Sequence, residues 1–411
     1  MIPFLELLKM ALLTVFTIFA NPLFWMVIFL VAVQYRKLNK MRIRVLGKGS
    51  SLKDMIFSAI KAGLLGGIIG SILIMILGIT IDASDFHFIL PLAILLMLID
   101  IRYICFSYSG GLLALSSLIL GFPKLNVSSI IAIVAILHMI ESILIYFDGY
   151  KYAMPMFVED KRYGVVGAFT LQRFWPIPFT VLLLAIGPLQ GGEEINLPNW
   201  WPLFKASIDV NNIPLQISCI VAALGYGDVA RSTTPKEKSK TSAKRLFFYS
   251  LILLSLSIIS TKVYFFKFIA ALFAPLAHEY LIIYGQREEK KAIPIFRRHS
   301  MGVTVLDVEN GVGNNIGLEP GDVIIKINNQ LVSDPLDIQE VLKYYPPYIW
   351  IDVIDIKGNI RKLEYKDYKR GINSLGIVVV PKDSNVVFDL ESSYSIIEKF
   401  LKRLFISKKN M

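Results

Sequence analysis

Two pairs of ionisable residues lie inside otherwise apolar stretches: His138 with Glu141, and His278 with Glu279. An imidazole beside a carboxylate can bind a metal ion, relay a proton, or hold two helices together by a hydrogen bond. Within a membrane such groups are costly, so they pair or serve a function. Counting from the outer ends of their segments puts Glu141 and His278 at nearly the same depth, so the two are expected to face each other, and the interhelical clamp is the favoured reading. A zinc hydrolase helix needs His-Glu-x-x-His, with two imidazoles on the ion and the carboxylate activating water. Here His278-Glu279 is followed by Tyr280, Leu281 and Ile282, which breaks that pattern. No Gly-x-Ser-x-Gly elbow supports a serine hydrolase either. Cys105 and Cys219 each sit in an apolar segment without Cys-x-x-Cys spacing, which argues against a disulfide framework and a zinc knuckle. Neither catalysis nor a bound metal or cofactor is expected.

The elements that carry these residues are membrane helices. The chain has 411 residues, 55% hydrophobic and 18% charged, and its mean hydropathy of +0.57 excludes an ordinary soluble protein. Apolar runs of helical length are expected to span at 4–33, 59–81, 86–101, 103–122, 127–147, 175–189, 213–229, 246–260 and 263–284. The first is interrupted by Asn21-Pro22 and reads as a kinked span or a re-entrant pair; it lacks a basic start and is expected to be retained rather than cleaved. Gly63, Gly66, Gly67 and Gly70 give overlapping Gly-x-x-x-Gly spacings, read as close intramolecular packing ahead of a dimer interface. A homo-oligomer stays open.

The formal charge of +11 is clustered between the apolar runs, which reports topology rather than nucleic-acid binding. Basic residues crowd the loops at 36–53, 102, 151–173 and 231–245, while the alternate loops hold Lys124, Lys205 and Lys262. The positive-inside rule makes the first set cytoplasmic, and parity puts the segment after residue 284 there too. The expected architecture is an α-helical polytopic membrane bundle over 1–285, a small β-rich domain over 295–382, and a basic amphipathic tail over 383–411 suited to anionic lipids or to covering the domain.

In the soluble part, strands are expected at 303–308, 323–328, 348–356, 359–365 and 375–380. Asp334 caps a helix with Pro335 in its first turn and Asp337 three residues after the cap; Ile338, Val341, Leu342 and Tyr345 line its buried face. This order, with Gly317-Leu318-Glu319-Pro320-Gly321-Asp322-Val323-Ile324, resembles a bacterial-type PDZ domain. The resemblance implies that an extended peptide is taken up as an added strand. Its Leu-Gly-hydrophobic loop corresponds to Leu375-Gly376-Ile377, which with Val378, Ile338, Val341 and Leu342 would line the groove; Met301-Gly302-Val303 is a competing assignment.

Three further strings stand beside the domain: Leu171-Gln172-Arg173-Phe174-Trp175-Pro176-Ile177-Pro178, then 228–239 from Asp228 to Ser239, then Leu276-Ala277-His278-Glu279. With the spans-then-PDZ layout they resemble the MinJ-like cell-division topology proteins of Gram-positive bacteria. The resemblance implies a non-enzymatic cell-membrane adaptor, septal or polar, that links DivIVA-like and MinD-like division proteins. A PDZ-bearing regulator or degenerate relative of an intramembrane metalloprotease, and a secretion or sporulation adaptor, are the alternatives.

Overall fold

The computed structural model describes residues 2–46, 49–82, 86–99, 101–184, 198–205, 215–309 and 311–382. The expected tail over 383–411 lies outside the described residues, as do residues 185–197 and 206–214.

The N-terminal part is built on helices whose ends follow their capping residues. Helix α1 (Ile2–Val15) passes through a 3-10 turn (Phe16–Ala20) into α2 (Pro22–Leu46), and the pair bends by 69° where Asn21-Pro22 was expected to break it. The Asn21 side chain accepts the Leu23 N–H at 2.9 Å, while Pro22 opens α2 without a donor to satisfy. Helix α3 (Leu52–Leu77) starts on a Ser51 cap and stops at Gly78, whose φ of +60° suits glycine. Then come α4 (Phe86–Ile99), α5 (Phe106–Leu120) and α6 (Val127–Asp148). Helix α7 (Pro235–Ser260) opens on a Thr234/Glu237 capping box and turns at Thr261 into α8 (Phe265–Lys291). Helices α3, α6, α7 and α8 are long and apolar enough to cross a membrane, and the bent α1–α2 pair makes a fifth such unit. Helices α4 and α5, with 14 and 15 residues, form where spans were expected but are short. Helix α6 is central, packing on α3, α5, α7 and α8.

Two of the expected helical spans, 175–189 and 213–229, are corrected to strands over their described residues, 175–184 and 215–229. After β1 (Thr80–Ile81) and β2 (Met154–Asp160), the long strands β3 (Gly164–Leu184) and β4 (Leu215–Ala230) form an antiparallel pair from Phe169↔Ala230 to Leu184↔Leu215. Pro176 and Pro178 are the physical reason. Two prolines two residues apart would each delete a helical hydrogen bond and clash with the preceding turn. In β3 they lie on the edge turned away from β4, where a missing N–H costs nothing.

That edge is satisfied residue by residue against the helices. Phe174 N–H donates to Tyr35 Oη at 3.1 Å, and the same hydroxyl donates to the Phe174 carbonyl at 3.1 Å. The carbonyls of Pro176 and Pro178 lie against Gly63 and Gly67 of α3, so closely that a Cβ there would come within 2.0 and 1.8 Å of them. Thr180 N–H donates to Ser71 Oγ at 2.9 Å, and Leu182 pairs with Thr80 of β1. The match is one of rise: four helical residues advance about 6 Å and two strand residues about 6.6 Å, so Gly63, Gly67 and Ser71 keep step with Pro176, Pro178 and Thr180. The other glycines of the stripe, Gly66 and Gly70, receive Ile140 and Leu144 of α6. The close packing expected of the stripe is thus intramolecular, against a strand on one side and a helix on the other.

Following α8, β5 (Val303–Val308), α9 (Val312–Asn315), β6 (Val323–Ile327), β7 (Gln330–Leu331), α10 (Pro335–Leu342), β8 (Tyr348–Ile354), β9 (Ile360–Lys366) and β10 (Ile377–Val379) form the β-rich domain. Its sheet order is β10-β5-β6-β8-β9, with β7 beside β6. Asp334 and Asp337 make the expected capping box on α10. Residues including Ile324, Ile327, Ile338, Ile349 and Ile351 form its own core.

The domain is docked on the membrane part rather than hanging from it. Phe296, Leu306 and Val380 join the main core, the Gly167 N–H donates to the Phe296 carbonyl at 2.8 Å, and Arg42 of α2 lies 3.7 Å from Asp307 of β5. Burial pushes the Asp307 carboxyl up to about 6, with Arg42 offsetting part of the shift. The folded state therefore holds this proton more tightly than the unfolded chain, and stability falls as pH rises through about 4 to 6. Asp307→Asn is expected to remove that decline, raising the melting temperature of the detergent-solubilised protein at pH 7 while leaving it near wild type at pH 4. An unchanged pH profile would contradict this.

Candidate functional site

The expected polar groups do come together, but in a different set. Helices α5, α6 and α8 meet around Cys105, which precedes α5 as its N-cap, with His138 from α6 and His278 from α8. Cys105 Sγ is 3.0 Å from His138 Nε2 and 3.8 Å from His278 Nε2, and the two imidazoles lie 5.1 Å apart between centroids. His138 Nδ1 is 2.7 Å from the Val134 carbonyl. His278 Nδ1 is 3.4 Å from Tyr108 Oη, which donates to Glu279 at 2.5 Å; Arg102 stands 3.8 Å from the same carboxylate. Below the rings, Ser107 Oγ and Tyr249 Oη are 2.6 Å apart and both reach the Ala274 carbonyl, next to Pro275 in α8.

The expected Glu141–His278 contact is corrected. His278 is opposite His138, and no hydrogen bond or ion pair between Glu141 and either histidine is found among the described residues. One helical turn from His138, Glu141 instead lies close enough to act electrostatically on Cys105. Glu279, expected beside His278, turns to Tyr108 and Arg102 as a link between α8 and the start of α5. Cys105 is the member that sequence reasoning set aside, because no second metal ligand lies near it along the chain.

Two of the membrane-proximal strings build buried latches. Arg173 is fully buried, with its guanidinium between the rings of Tyr35 and Tyr152, and its Nε and Nη2 bind Asp148 at the end of α6. Trp175 Nε1 donates to the same carboxylate at 2.7 Å. Arg231 reaches Asp160 at 2.5 Å and donates to the carbonyls of Glu289, Lys290 and Ala292, closing the C-terminal end of α8. Lys238 lies 3.4 Å from Glu289 and 3.6 Å from Asp228. These charges, read from the sequence as topogenic, have structural partners.

In the β-rich domain, Leu375 is buried in one cluster with Ile338 and Leu342, and Ile377 and Val341 pack on it half-buried. Gly376 has a φ of +66°, a left-handed position that turns the chain into β10. Val378, expected in the groove, faces the opposite side and packs on the main core, as the two-residue period of a strand requires. Strand β10 pairs with β5 alone among the described residues. The competing Met301-Gly302-Val303 leads into β5, which is paired on both sides by β6 and β10.

A family model for the PDZ domain matches residues 305–344, which run from β5 to just past α10. Over 399 residues, 92% of this chain and 96% of the relative, the sequence is 24% identical to the cell division topological determinant MinJ of Bacillus subtilis strain 168. The chain is MinJ-like. In this MinJ-like chain the match covers the helical part as well as the PDZ domain, so the expected family resemblance and the spans-then-PDZ architecture both hold.

Proposed function

We propose that the chain is a non-enzymatic membrane adaptor of division-site selection, which takes a peptide segment of a partner along β10. The observation that carries this reading is the strand's outer edge, which has no strand beside it among the described residues and is entered through Leu375-Gly376-Ile377 beside α10. Added strands gain affinity from backbone hydrogen bonds and selectivity from side-chain pockets. Glu309 N–H donates to the Gly376 carbonyl, and Val380 N–H to the Thr304 carbonyl, so the backbone groups of Ile377 between them point outward to receive such a strand.

The Bacillus relative, a cell division topological determinant, supplies the process, topological control of division. By the positive-inside rule the PDZ end is cytoplasmic: the docked domain meets Arg42 of α2, at the end of the bundle where the basic end of α2 and the basic first turns of α7 also lie, helical where loops were expected. Partners of DivIVA-like and MinD-like type then meet the groove at the inner membrane face, where anchoring raises their effective concentration.

A fluorescent fusion of the full chain in its own host is expected to concentrate at septa or poles, and its deletion to misplace septa. Uniform membrane fluorescence with normally placed septa would contradict the division role.

A further inference from the structure

The cluster of Cys105, His138 and His278 plays no part in peptide binding, and its protons do not balance. The Val134 carbonyl can only accept, so in a neutral His138 the proton sits on Nδ1 and Nε2 is bare. Tyr108 spends its hydroxyl proton on Glu279, so toward His278 it can only accept; His278 too carries its proton on Nδ1, and its Nε2 is bare. Two nitrogen lone pairs therefore converge on one sulfur. A thiol has a single proton and can donate it to one of them. The other lone pair is left facing sulfur with no proton between them, an arrangement that a cation resolves.

We propose that Cys105 Sγ, His138 Nε2 and His278 Nε2 bind a zinc ion, or a metal ion of similar borderline softness, between α5, α6 and α8. One thiolate with two imidazoles suits such an ion and is a poor site for magnesium or calcium. The spacing fits: tetrahedral bonds of about 2.3 Å to sulfur and 2.0 Å to nitrogen put the two ligand atoms about 3.5 Å apart. The observed separations of 3.0 and 3.8 Å lie on either side of that, and the three ligand atoms fall within 4.8 Å of one another. The second shell is of the kind metal-bound histidines use, with each outer nitrogen held by an oxygen, Val134 O or Tyr108 Oη. Cys105 also stands at the N-terminus of α5, where the helix dipole favours a thiolate. Binding releases the thiol proton to solvent, one per ion. The fourth position is open to water or to Glu141, one turn along α6.

The ion would fix the helix contacts that the latches do not reach, and the inference is independent of the adaptor reading. Its test is metal analysis of the full-length chain, purified in detergent on a tag without histidines and loaded with zinc. About one zinc per chain is expected, and Cys105→Ser or the double change His138→Asn with His278→Asn should reduce it roughly tenfold or more. Cys219→Ser should leave it unchanged. Replacement by cobalt should give the wild-type chain a thiolate-to-cobalt charge-transfer band that Cys105→Ser lacks, which decides the question even where a histidine variant fails to fold. A wild-type chain that retains no zinc, or a cobalt spectrum unaffected by Cys105→Ser, would overturn the proposal.

Discussion

Gly67→Ala is expected to leave little folded protein, although it adds one methyl group to a residue in mid-helix. Its Cβ would come within 1.8 Å of the Pro178 carbonyl oxygen, a backbone atom fixed by the β3–β4 pairing on its far side. No rotamer change relieves that clash, so α3 and β3 must separate and the neighbouring Thr180–Ser71 hydrogen bond goes with them. A loss on the order of 4 kcal/mol or more is expected, above the usual range for overpacking because the obstacle is backbone. Gly66→Ala is the control: its Cβ meets the Ile140 and Leu144 side chains at 2.8 and 3.2 Å, which can shift. Its cost should stay near 1–2 kcal/mol. Thermal melting in detergent, read by size-exclusion fluorescence, compares the two. Equal losses would mean that the strand does not press on the helix.

Asp148→Ala is expected to be the second severe change. It would leave the buried Arg173 guanidinium and the Trp175 indole N–H without their shared acceptor, and removing one partner of a buried pair costs roughly 3–5 kcal/mol. Lys151 contacts the same carboxylate at 3.0 Å, but its side chain is 48% exposed. Lys151→Ala should therefore cost less than about 1 kcal/mol. Combining Asp148→Ala with Arg173→Met should recover part of the loss, because the uncompensated charge is gone. A double variant as unstable as the sum of the two single changes would show that the residues act independently.

How far the fold could be read in advance depended on whether the deciding information was local. The α10 start was legible because Asp334, Pro335 and Asp337 sit within four positions and each acts on the adjacent backbone. The break at Asn21-Pro22 was legible for the same reason. The β3–β4 hairpin was not read, because its strands are as apolar as a membrane helix and hydropathy is blind to backbone geometry. Pro176 and Pro178, two apart, were the available signal against a helix, and their partners Gly63 and Gly67 lie more than a hundred residues earlier.

The Cys105–His138–His278 cluster was hidden by the same rule. Cys105, His138 and His278 are distant in sequence, whereas local reading paired each histidine with its nearest glutamate. Only the packing of three helices brings the sulfur between the rings. In the PDZ domain β10 lies within the strand expected at 375–380, whereas the place of 301–303, beside a strand paired on both sides, became visible only in the sheet.

The most direct measurement is a pairwise interaction assay in living cells between the full-length chain and the DivIVA-like and MinD-like proteins of its own host. It compares wild type with Val341→Lys, which puts a charge on the half-buried groove face of α10 without touching the membrane part. Expected is a clear signal with at least one of the two partners, reduced roughly tenfold or more by Val341→Lys while the variant stays folded and membrane-bound. No signal with either partner, or a signal that Val341→Lys leaves intact, would contradict a groove-borne adaptor.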